Sequence, residues 1–530
     1  MLVISLTRRP RAGHRAARAS TATQAMLDGS FDELAEDFDE LEWLATDISG
    51  RVDERGRTLV RLYRHLHGDS VDIVERHMRA VVAACDAIRR EASELRSDTR
   101  ARRRSPELLA GLTRECHGLA DRLRTIAGIA ASTIVAAEWQ SPSFEHSVTS
   151  NAGTRVGRVE PHRDDYRRDR HVDAAIFEAA YVREYVDPPS ELDIRALATN
   201  CGMSAFTTIL AFLQRTNALR GRVVLGASTY HESRDLVRAL VPAQRLIEVP
   251  DADRHALERA IAHERPSLVI LDTLANAPGV TMVDVAAAIA AMRGSAPNAR
   301  LVLDNTGRSC TFRPFDVVRG TGVRTIVFES LTKFPQFGFD RVTAGIISAE
   351  RIDTEVLDDL REHLGTNAPD ASIAAITTPN RRRLERRLHR IGRNAEVLAS
   401  RLGEELGRQD VITAVDHPSS PGHPSFETAR EVAFRGGWCA LRFSPRFDRP
   451  AERARFVSLA ITEARRRNVS LLAGASFGLD VTRVYATGSA STESFVRIAA
   501  GIEHRWDLEM LAASFAAATQ RLASNGAAST

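Results

Sequence analysis

The chain has 530 residues, of which 43% are hydrophobic and 27% are charged, so it is long enough for several structural units with a large core. Its 72 basic and 69 acidic side chains leave a net charge of +3, which is too small to indicate binding to nucleic acid or to a membrane surface. The five cysteines form no CxxC pair and no apolar run reaches the length of a membrane span, which disfavours a zinc site, a disulfide framework and a transmembrane protein. We therefore expect a cytoplasmic globular protein without a metal site.

The first part of the chain is predicted to be mainly helical. Residues 1–27 contain no Asp or Glu and are rich in Arg, Ala and Ser, which favours a disordered or leader-like start. Residues 28–140 place apolar side chains at three- and four-residue steps, as in FDELAEDFDELEWLATDI, and predict three or four amphipathic helices. Residues 141–174 lose this periodicity and are rich in Ser, Gly, Pro and charge, so we expect a linker or an extended arm.

The second half of the chain predicts two further units. In residues 175–375, strand candidates such as GRVVLGAS, PSLVILDTL and ARLVLDNT alternate with helices and lack polar alternation, which indicates a mostly parallel sheet buried on both faces. Such sheets bind their ligands at the carboxyl ends of the strands. Residues 376–520 begin with the basic helix RRRLERRLHRIGRNAEVLASRLGEEL and predict a small α+β domain, and residues 521–530 predict a frayed tail.

One residue type is almost absent, because the chain contains a single lysine among 72 Lys and Arg residues. This residue, Lys333, lies in FESLTKFPQFG, just after the strand candidate TIVFES. Arginine can replace lysine as a cation, but its pKa is too high for a proton shuttle and its guanidinium does not form a Schiff base. We therefore interpret Lys333 as a catalytic amine.

Polar groups are predicted to surround this amine. Ser330 and Thr332 precede it and carry hydroxyls that can hold a phosphate, and Asp304 ends the strand candidate ARLVLD at the same edge of the sheet. A carboxylate at that place can keep a pyridine nitrogen protonated. Gly202, in CGMSA, begins a predicted helix whose backbone amides can approach an anion.

In chain order, the segments CGMSA, STYHES, LDTLANAP, LVLDNT, ESLTK and FVRIAAGIE resemble the cysteine and methionine metabolism family of pyridoxal-phosphate enzymes. Members of this family include cystathionine synthases and lyases, methionine γ-lyase and O-acetylhomoserine sulfhydrylase. The resemblance covers roughly residues 175–515 and is most specific in ESLTK and LVLDNT. It implies an α/β fold of type I, with a mostly parallel central sheet flanked by helices and a small C-terminal α+β domain; the N-terminal helical region is an addition.

The resemblance also implies a role for each matching residue. Lys333 would hold pyridoxal phosphate as a Schiff base and move protons between substrate carbons, and Asp304 would pair with the pyridinium nitrogen. Tyr230 would stack on the cofactor ring and assist proton transfer, while Arg497 would bind the substrate α-carboxylate. The other cofactor contacts would come from Gly202, Met203, Asn276, Ser330 and Thr332.

Two further segments extend the resemblance. YVREYVDPP contains Tyr181 and Arg183, which are similar to a Tyr-x-Arg motif that reaches the phosphate of a neighbouring subunit, so we expect a homodimer or homotetramer. SFGLDVTR stands where the family has Ser-Leu-Gly-Gly-x-Glu-Ser, which would put Ser476 beside the substrate. Departures from the family pattern include Cys201 in place of Ser before Gly202, and His-Glu-Ser after Tyr230 in place of Gly-Gly-Thr.

The sequence thus predicts a pyridoxal-phosphate enzyme that performs β- or γ-elimination or γ-replacement on an L-amino acid, and a specialised biosynthetic role is a further hypothesis. The leaving group and the substrate stay open. An aminotransferase or another fold type I activity is the first alternative. A serine hydrolase is a distant one, because GASFG matches the G-x-S-x-G pattern with Ser476 as nucleophile. A binding module attached to an inactive scaffold is a third.

Overall fold

The computed structural model of the protein describes residues 12–63, 68–101, 104–137, 172–404, 410–487 and 494–527. Within these residues, no helix is long and apolar enough to cross a membrane. Residues 1–11 and 138–171 lie outside the described ranges, and with them lie the beginning of the predicted leader-like start and nearly all of the predicted linker.

The described residues of the N-terminal region form three long helices, namely α1 (Ala12–Tyr63), α2 (Gly68–Ala101) and α3 (Pro106–Ala137). Their apolar faces are buried, as the three- and four-residue spacing predicts; on α1, Leu34 and Phe38 are fully buried. The first helix begins inside the stretch that we expect to be disordered or leader-like, so residues 12–27 differ from that prediction. Alanine and arginine both have high helix propensity, and a helix does not need acidic residues to form.

A seven-stranded sheet forms the centre of the next region. Its strands are β1 (Ile194–Thr199), β2 (Val223–Gly226), β3 (Leu246–Val249), β4 (Leu268–Asp272), β5 (Arg300–Asp304), β6 (Arg324–Ser330) and β7 (Gly345–Glu350). Their order across the sheet is β1-β7-β6-β5-β4-β2-β3, and β7 runs in the direction opposite to the other six strands. This confirms the predicted mostly parallel sheet and puts the carboxyl ends of β4, β5 and β6 side by side.

Helices connect and flank these strands. They are α4 (Val172–Tyr181), which continues as a π-helical turn (Val182–Val186), α5 (Gly202–Arg215), α6 (His231–Leu240), α7 (Arg254–Glu264), α8 (Val285–Ser295), α9 (Pro314–Val318), α10 (Arg351–Leu364) and α11 (Asp370–Ala375). The predicted boundary between linker and sheet region at residue 174 falls inside α4.

The C-terminal region is a smaller α+β unit, as predicted. It contains α12 (Arg381–Gly403), β8 (Ile412–Asp416), α13 (Phe426–Ala429), β9 (Trp438–Phe443), α14 (Pro450–Arg466), β10 (Leu472–Ala473), β11 (Arg483–Thr487), β12 (Phe495–Ala499) and α15 (Arg505–Ala527). The strands form a second sheet in the order β10-β11-β12-β9-β8. Helix α15 extends through most of the predicted frayed tail, because the fully buried Leu522 anchors its last turns to the core.

Candidate active site

A cavity of about 460 Å³ opens at the carboxyl ends of β4, β5 and β6, between the large sheet and the C-terminal unit. This is the edge at which a mostly parallel sheet is expected to bind its ligand. Ten of the twelve predicted site residues line the cavity, namely Gly202, Met203, Tyr230, Asn276, Asp304, Ser330, Thr332, Lys333, Ser476 and Arg497.

The single lysine projects from the turn that follows β6. After Ser330 the chain turns into a short 3₁₀ segment (Phe334–Gln336), and Lys333 immediately precedes that segment. Its Nζ donates a hydrogen bond to Oγ of Ser476 at 3.1 Å and lies 5.4 Å from the centre of the Phe477 ring. Burial, followed by the nearby cation of Arg497, lowers the pKa of Lys333. Both effects favour the neutral amine, which is the form that can accept a proton.

Two aspartates stand side by side at the strand ends. Asp304 ends β5, and its register partner on β4 is Asp272, which we did not predict as a site residue. The backbone N–H of Thr306 donates to Asp304 at 2.8 Å, and that of Tyr230 donates to Asp272 at 3.0 Å. Burial raises the pKa of Asp304 to about 6, and burial together with the charge of Asp304 raises the pKa of Asp272 well above its usual range. The two neighbouring carboxyls therefore disfavour each other's ionisation.

The beginning of α5 presents unpaired backbone donors to the cavity. Sγ of Cys201 caps the helix by accepting a hydrogen bond from the N–H of Ser204 at 3.3 Å. In the described part of the chain, the N–H groups of Gly202 and Met203 make no hydrogen bond, as is normal for the first turn of a helix. A Cβ added at Gly202 would lie 2.8 Å from Cβ of Ser330, so glycine is required for this close approach. The result is a pocket of N–H groups that suits an anion.

Ser330 and Thr332, the two predicted phosphate-binding hydroxyls, both line the cavity, and Ser330 lies against Gly202. The backbone N–H of Ser330 donates to Oγ1 of Thr306 at 2.9 Å, which holds the end of β6 against the segment after β5. The hydroxyl of Thr332 faces the carbonyl oxygen of Ala344 at 3.4 Å, which is long for a hydrogen bond between two oxygens.

Arg497 is a buried cation in the middle of β12. Its Nη1 donates to Oδ1 of Asn276 at 2.6 Å, and its Nε is buried without a partner. No carboxylate forms an ion pair with it among the side chains that the structure describes. Burial lowers the pKa of Arg497 to about 10. An unpaired, desolvated guanidinium beside a cavity is suited to bind a carboxylate that enters from solution.

Tyr230 stands at the entrance to α6, where its backbone contacts Asp272 and its ring is half-buried. Burial and the neighbouring carboxylate of Glu232 raise the pKa of Tyr230 to about 12. The phenol therefore keeps its proton at neutral pH and acts as a donor. The ring of His231, which has no counterpart in the family pattern, lies 4.7 Å from that of Tyr230 at a steep angle.

The structure does not bring Tyr181 and Arg183 into the cavity. Tyr181 is buried, and its hydroxyl donates to Oε2 of Glu329 at 2.6 Å inside its own chain. This burial disagrees with the prediction that Tyr181 reaches a neighbouring subunit. Arg183 lies in the π-helical turn, which accommodates one residue more than a regular helical turn, and its side chain is 67% exposed beside Glu184.

The nucleophile-elbow hypothesis for Ser476 is wrong. That motif needs a strand, a tight turn and then a helix, but β10 has two residues and the chain after Ser476 continues through a loop into β11. The one histidine downstream, His504, is buried and bonds to Asp37 at 2.9 Å, away from the residues that line the cavity.

Several residues that line the cavity were not predicted from the sequence, although one of them could have been. Asp272 follows the apolar strand VIL, as Asp304 follows LVL, so the rule that selected Asp304 also selects Asp272. Trp438 and Phe477 also line the cavity, but their sequence surroundings resemble those of any buried aromatic residue.

A model of the family described as Cys/Met metabolism PLP-dependent enzyme matches residues 190–516, which is more than half of the chain. No curated protein matches the sequence.

Three solved structures illustrate the similarity of fold. Cystathionine gamma synthase from Xanthomonas oryzae pv. oryzae in complex with cystathionine is 21% identical with a TM-score of 0.54, over 69% of this chain and 90% of that chain. Apo methionine gamma lyase from Micromonospora echinospora is 22% identical with a TM-score of 0.54, over 72% and 92%. Cystathionine gamma-lyase from Lactobacillus plantarum complexed with L-serine is 17% identical with a TM-score of 0.55, over 72% and 93%.

Proposed function

The chain belongs to the Cys/Met metabolism family of pyridoxal-phosphate-dependent enzymes, and from this we propose that it catalyses β- or γ-elimination, or γ-replacement, on an L-amino acid. Such reactions are those of transsulfuration-type lyases and synthases. One observation carries the proposal: an amine with a lowered pKa, Lys333, shares a cavity with the unpaired guanidinium of Arg497. The first group suits proton transfer and the second suits the carboxylate of an amino acid.

The residues around the cavity fit pyridoxal phosphate. The free N–H groups of Gly202 and Met203, with the hydroxyl of Ser330 beside them, suit its phosphate. Asp304, with a pKa of about 6, would ionise readily beside a pyridinium nitrogen, because a nearby cation lowers the pKa of a carboxyl. Lys333 would provide the attachment point. When bound, pyridoxal phosphate supplies an aldehyde and an electron-accepting pyridine ring.

Arg497 would orient the substrate. Its guanidinium can form two parallel hydrogen bonds to the α-carboxylate, which compensates the burial of both charges. Asn276 accepts from Nη1 at 2.6 Å and so holds the plane of the guanidinium in one direction. An amino acid held in this way has its α-carbon fixed relative to the Lys333 side chain.

Lys333 and Tyr230 would move the protons. Nζ of Lys333 would accept the proton of the substrate α-carbon, because burial and Arg497 favour its neutral form. The hydroxyl of Tyr230, whose pKa is about 12, keeps its proton and would donate it to the departing group. The hydrogen bond between Nζ and Ser476 would keep the amine directed into the cavity.

We also propose a homodimer or homotetramer as the working state. Arg183 supports this, since its side chain is 67% exposed and, among the described residues, its ion pair is the one at 3.3 Å with the adjacent Glu184. Ile176, on the same helical segment, is 69% exposed and lines a groove together with Ile134, Phe177 and Ile373, and a contiguous apolar surface of this kind suits contact with a partner. Sedimentation analysis of the wild type and of Ile176→Glu would test this; an unaltered monomer in both would contradict it.

The cofactor assignment can be tested by visible spectroscopy. The full chain purified with pyridoxal phosphate is expected to show an absorption band of bound cofactor that Lys333→Ala lacks. Ser476→Ala is the matched control, because it removes the partner of Nζ and leaves the amine, so the band should persist. A band of equal strength in Lys333→Ala would contradict the role of this lysine.

The reaction class needs a separate assay. Homoserine esters, cystathionine, cysteine and halogenated amino acids are incubated with the enzyme, and the release of keto acid and ammonia is measured. Elimination produces both without an added acceptor, and replacement consumes an added thiol. If keto acid forms only when a second keto acid is supplied, the enzyme is an aminotransferase and the proposal fails.

A further inference from the structure

The N-terminal helical region is joined to the basic helix α12 by a ladder of ion pairs. The acidic residues on α1 are spaced by four and three positions and therefore share one helical face. Their partners on α12 follow one another at three-residue steps and in the opposite direction. The pairs are Glu33 with Arg393, Asp37 with Arg390, and Glu40 with Arg387.

The last pair of this ladder continues to the wall of the cavity. The Arg387 side chain is 1% exposed; its Nη1 donates to Glu40 at 2.6 Å and its Nη2 pairs with Asp480. Asp480 lies in the loop that carries Ser476, the hydrogen-bond partner of Lys333. Through one buried guanidinium, α1 is thus connected to the loop that contacts the catalytic amine.

Two glycines bring this loop against the lysine-bearing turn. A Cβ added at Gly478 would lie 3.0 Å from the backbone nitrogen of Phe334 and 3.2 Å from the carbonyl carbon of Lys333. At Gly338, which follows the same turn, an added Cβ would meet the carboxylate of Asp480 and the guanidinium of Arg387. Both glycines have positive φ, which other residues adopt only with strain. A displacement of the Arg387–Asp480 pair would therefore reach the backbone beside Lys333.

The N-terminal helices contact this turn at two further points. The ring of Trp43, on α1, packs edge-on against Phe337 with 4.9 Å between the ring centres. Nε of Arg124, on α3, donates to the carbonyl oxygen of Phe339 at 2.6 Å.

We propose that the N-terminal helical region is part of the active-site scaffold, and that Arg387, held by Glu40, is a positioning residue that sets Ser476 against Lys333. An arginine can bridge two carboxylates because its guanidinium has donors on several sides. Without the Glu40 carboxylate, the guanidinium of Arg387 keeps its ion pair with Asp480 but is no longer anchored to α1. The loop that carries Ser476 is then less firmly positioned. The region is therefore more than a separate binding module attached to the enzyme.

The test compares two glutamates of the same ladder. Glu40→Gln removes the charge that holds Arg387, and Glu33→Gln is the matched control, since its partners Arg393 and Arg505 do not line the cavity. The measurement uses the single lysine: the full-length, cofactor-free protein is labelled with trinitrobenzenesulfonate over a range of pH, and peptide mapping separates Lys333 from the α-amino group.

The expected result is a shift in the pH midpoint of Lys333 labelling in Glu40→Gln alone. The hydrogen bond to Ser476 favours the charged amine, so its loss lowers the pKa, and labelling at neutral pH should rise about tenfold. If the substitution only made Lys333 more accessible, the labelling rate at high pH would rise and the pH midpoint of labelling would stay unchanged. In the holoenzyme, the pH midpoint of the visible absorbance should also move in Glu40→Gln and stay constant in Glu33→Gln.

Equal midpoints in Glu40→Gln and Glu33→Gln would overturn the proposal. If Glu40→Gln does not fold, Asp480→Asn perturbs Arg387 from the cavity side, where the carboxylate is 27% exposed. A folded Asp480→Asn protein with the wild-type midpoint would overturn it as well. These outcomes do not depend on which amino acid the enzyme consumes, so they are independent of the proposed reaction.

Discussion

Replacing Arg497 with methionine should affect stability and substrate binding in opposite directions. Methionine has a similar length and no charge, so Arg497→Met removes a buried cation that has one hydrogen bond and no carboxylate partner among the described residues. Most single substitutions at a buried position destabilise a protein. Here the wild-type residue is itself a source of instability in the cofactor-free and substrate-free protein.

The structure provides the magnitude. Burial lowers the pKa of Arg497 from its ordinary value to about 10, which corresponds to about 3 kcal/mol of unfavourable free energy for the charged form. Loss of the hydrogen bond to Asn276 costs roughly 1.5–3 kcal/mol in the other direction. The net effect is about 0–1.5 kcal/mol in favour of the variant. Loss of the proposed pair with a substrate carboxylate would cost about 2–5 kcal/mol, or roughly 30- to 4,000-fold in kcat/KM.

Two assays test the two halves of this prediction. Thermal unfolding of the cofactor-free protein should show a Tm for Arg497→Met equal to or above that of the wild type. Steady-state kinetics with the substrate found by screening, and with its amide analogue, should show that only the wild type prefers the carboxylate. Arg319→Met is the control: this exposed arginine pairs with Glu191 at 2.5 Å, and neither measurement should change.

A parallel loss of stability and activity in Arg497→Met would refute the reasoning, because it would mean that the arginine is already paired in the native protein. An unchanged preference for carboxylate over amide would refute the proposed role in substrate binding.

Three other substitutions test the site and a buried carboxyl outside it. Asp304→Asn should leave cofactor binding intact and reduce kcat about 10²–10³-fold, measured by absorbance titration and steady-state kinetics; a variant with wild-type kcat would contradict the role of the carboxylate. Gly202→Ala should weaken cofactor affinity at least about tenfold, since its Cβ would stand 2.8 Å from that of Ser330, whereas Gly294→Ala, where an added Cβ meets nothing within 4 Å, should not. Burial raises the pKa of Glu329 from 4.5 to about 7. Between pH 4.5 and pH 7 the native state therefore binds one more proton than the unfolded chain. As the pH rises through this range, the protein loses about 3 kcal/mol of its free energy of unfolding. Glu329→Gln should remove this loss, so the Tm of the variant should exceed that of the wild type at pH 8. The difference between the two Tm values should decrease towards pH 4.5. A Tm below that of the wild type at pH 8 would oppose the prediction.

Much of the site could be predicted because its chemistry depends on residue type and local pattern. A lone lysine in an arginine-rich chain points to amine chemistry wherever it lies in the fold. Its amino group can lose a proton near neutral pH and act as a nucleophile, whereas the guanidinium of arginine cannot. Apolar strands that end in Asp or Ser place polar groups at one edge of a parallel sheet, which located Asp304 and Ser330. The same rule applied to Asp272 would have added it.

By itself, the sequence predicted the alternation of strands and helices around the large sheet and Lys333 as the candidate amine, because periodicity and residue chemistry are local properties. The cofactor class came from the resemblance of several motifs to one family. The tertiary structure alone decided which distant charges meet. The burial of Tyr181 against Glu329 and the bridge from Glu40 through Arg387 to Asp480 join residues separated by 93 to 347 positions. No local pattern encodes such contacts, because the free energy of a buried charge depends on the partners that packing brings to it.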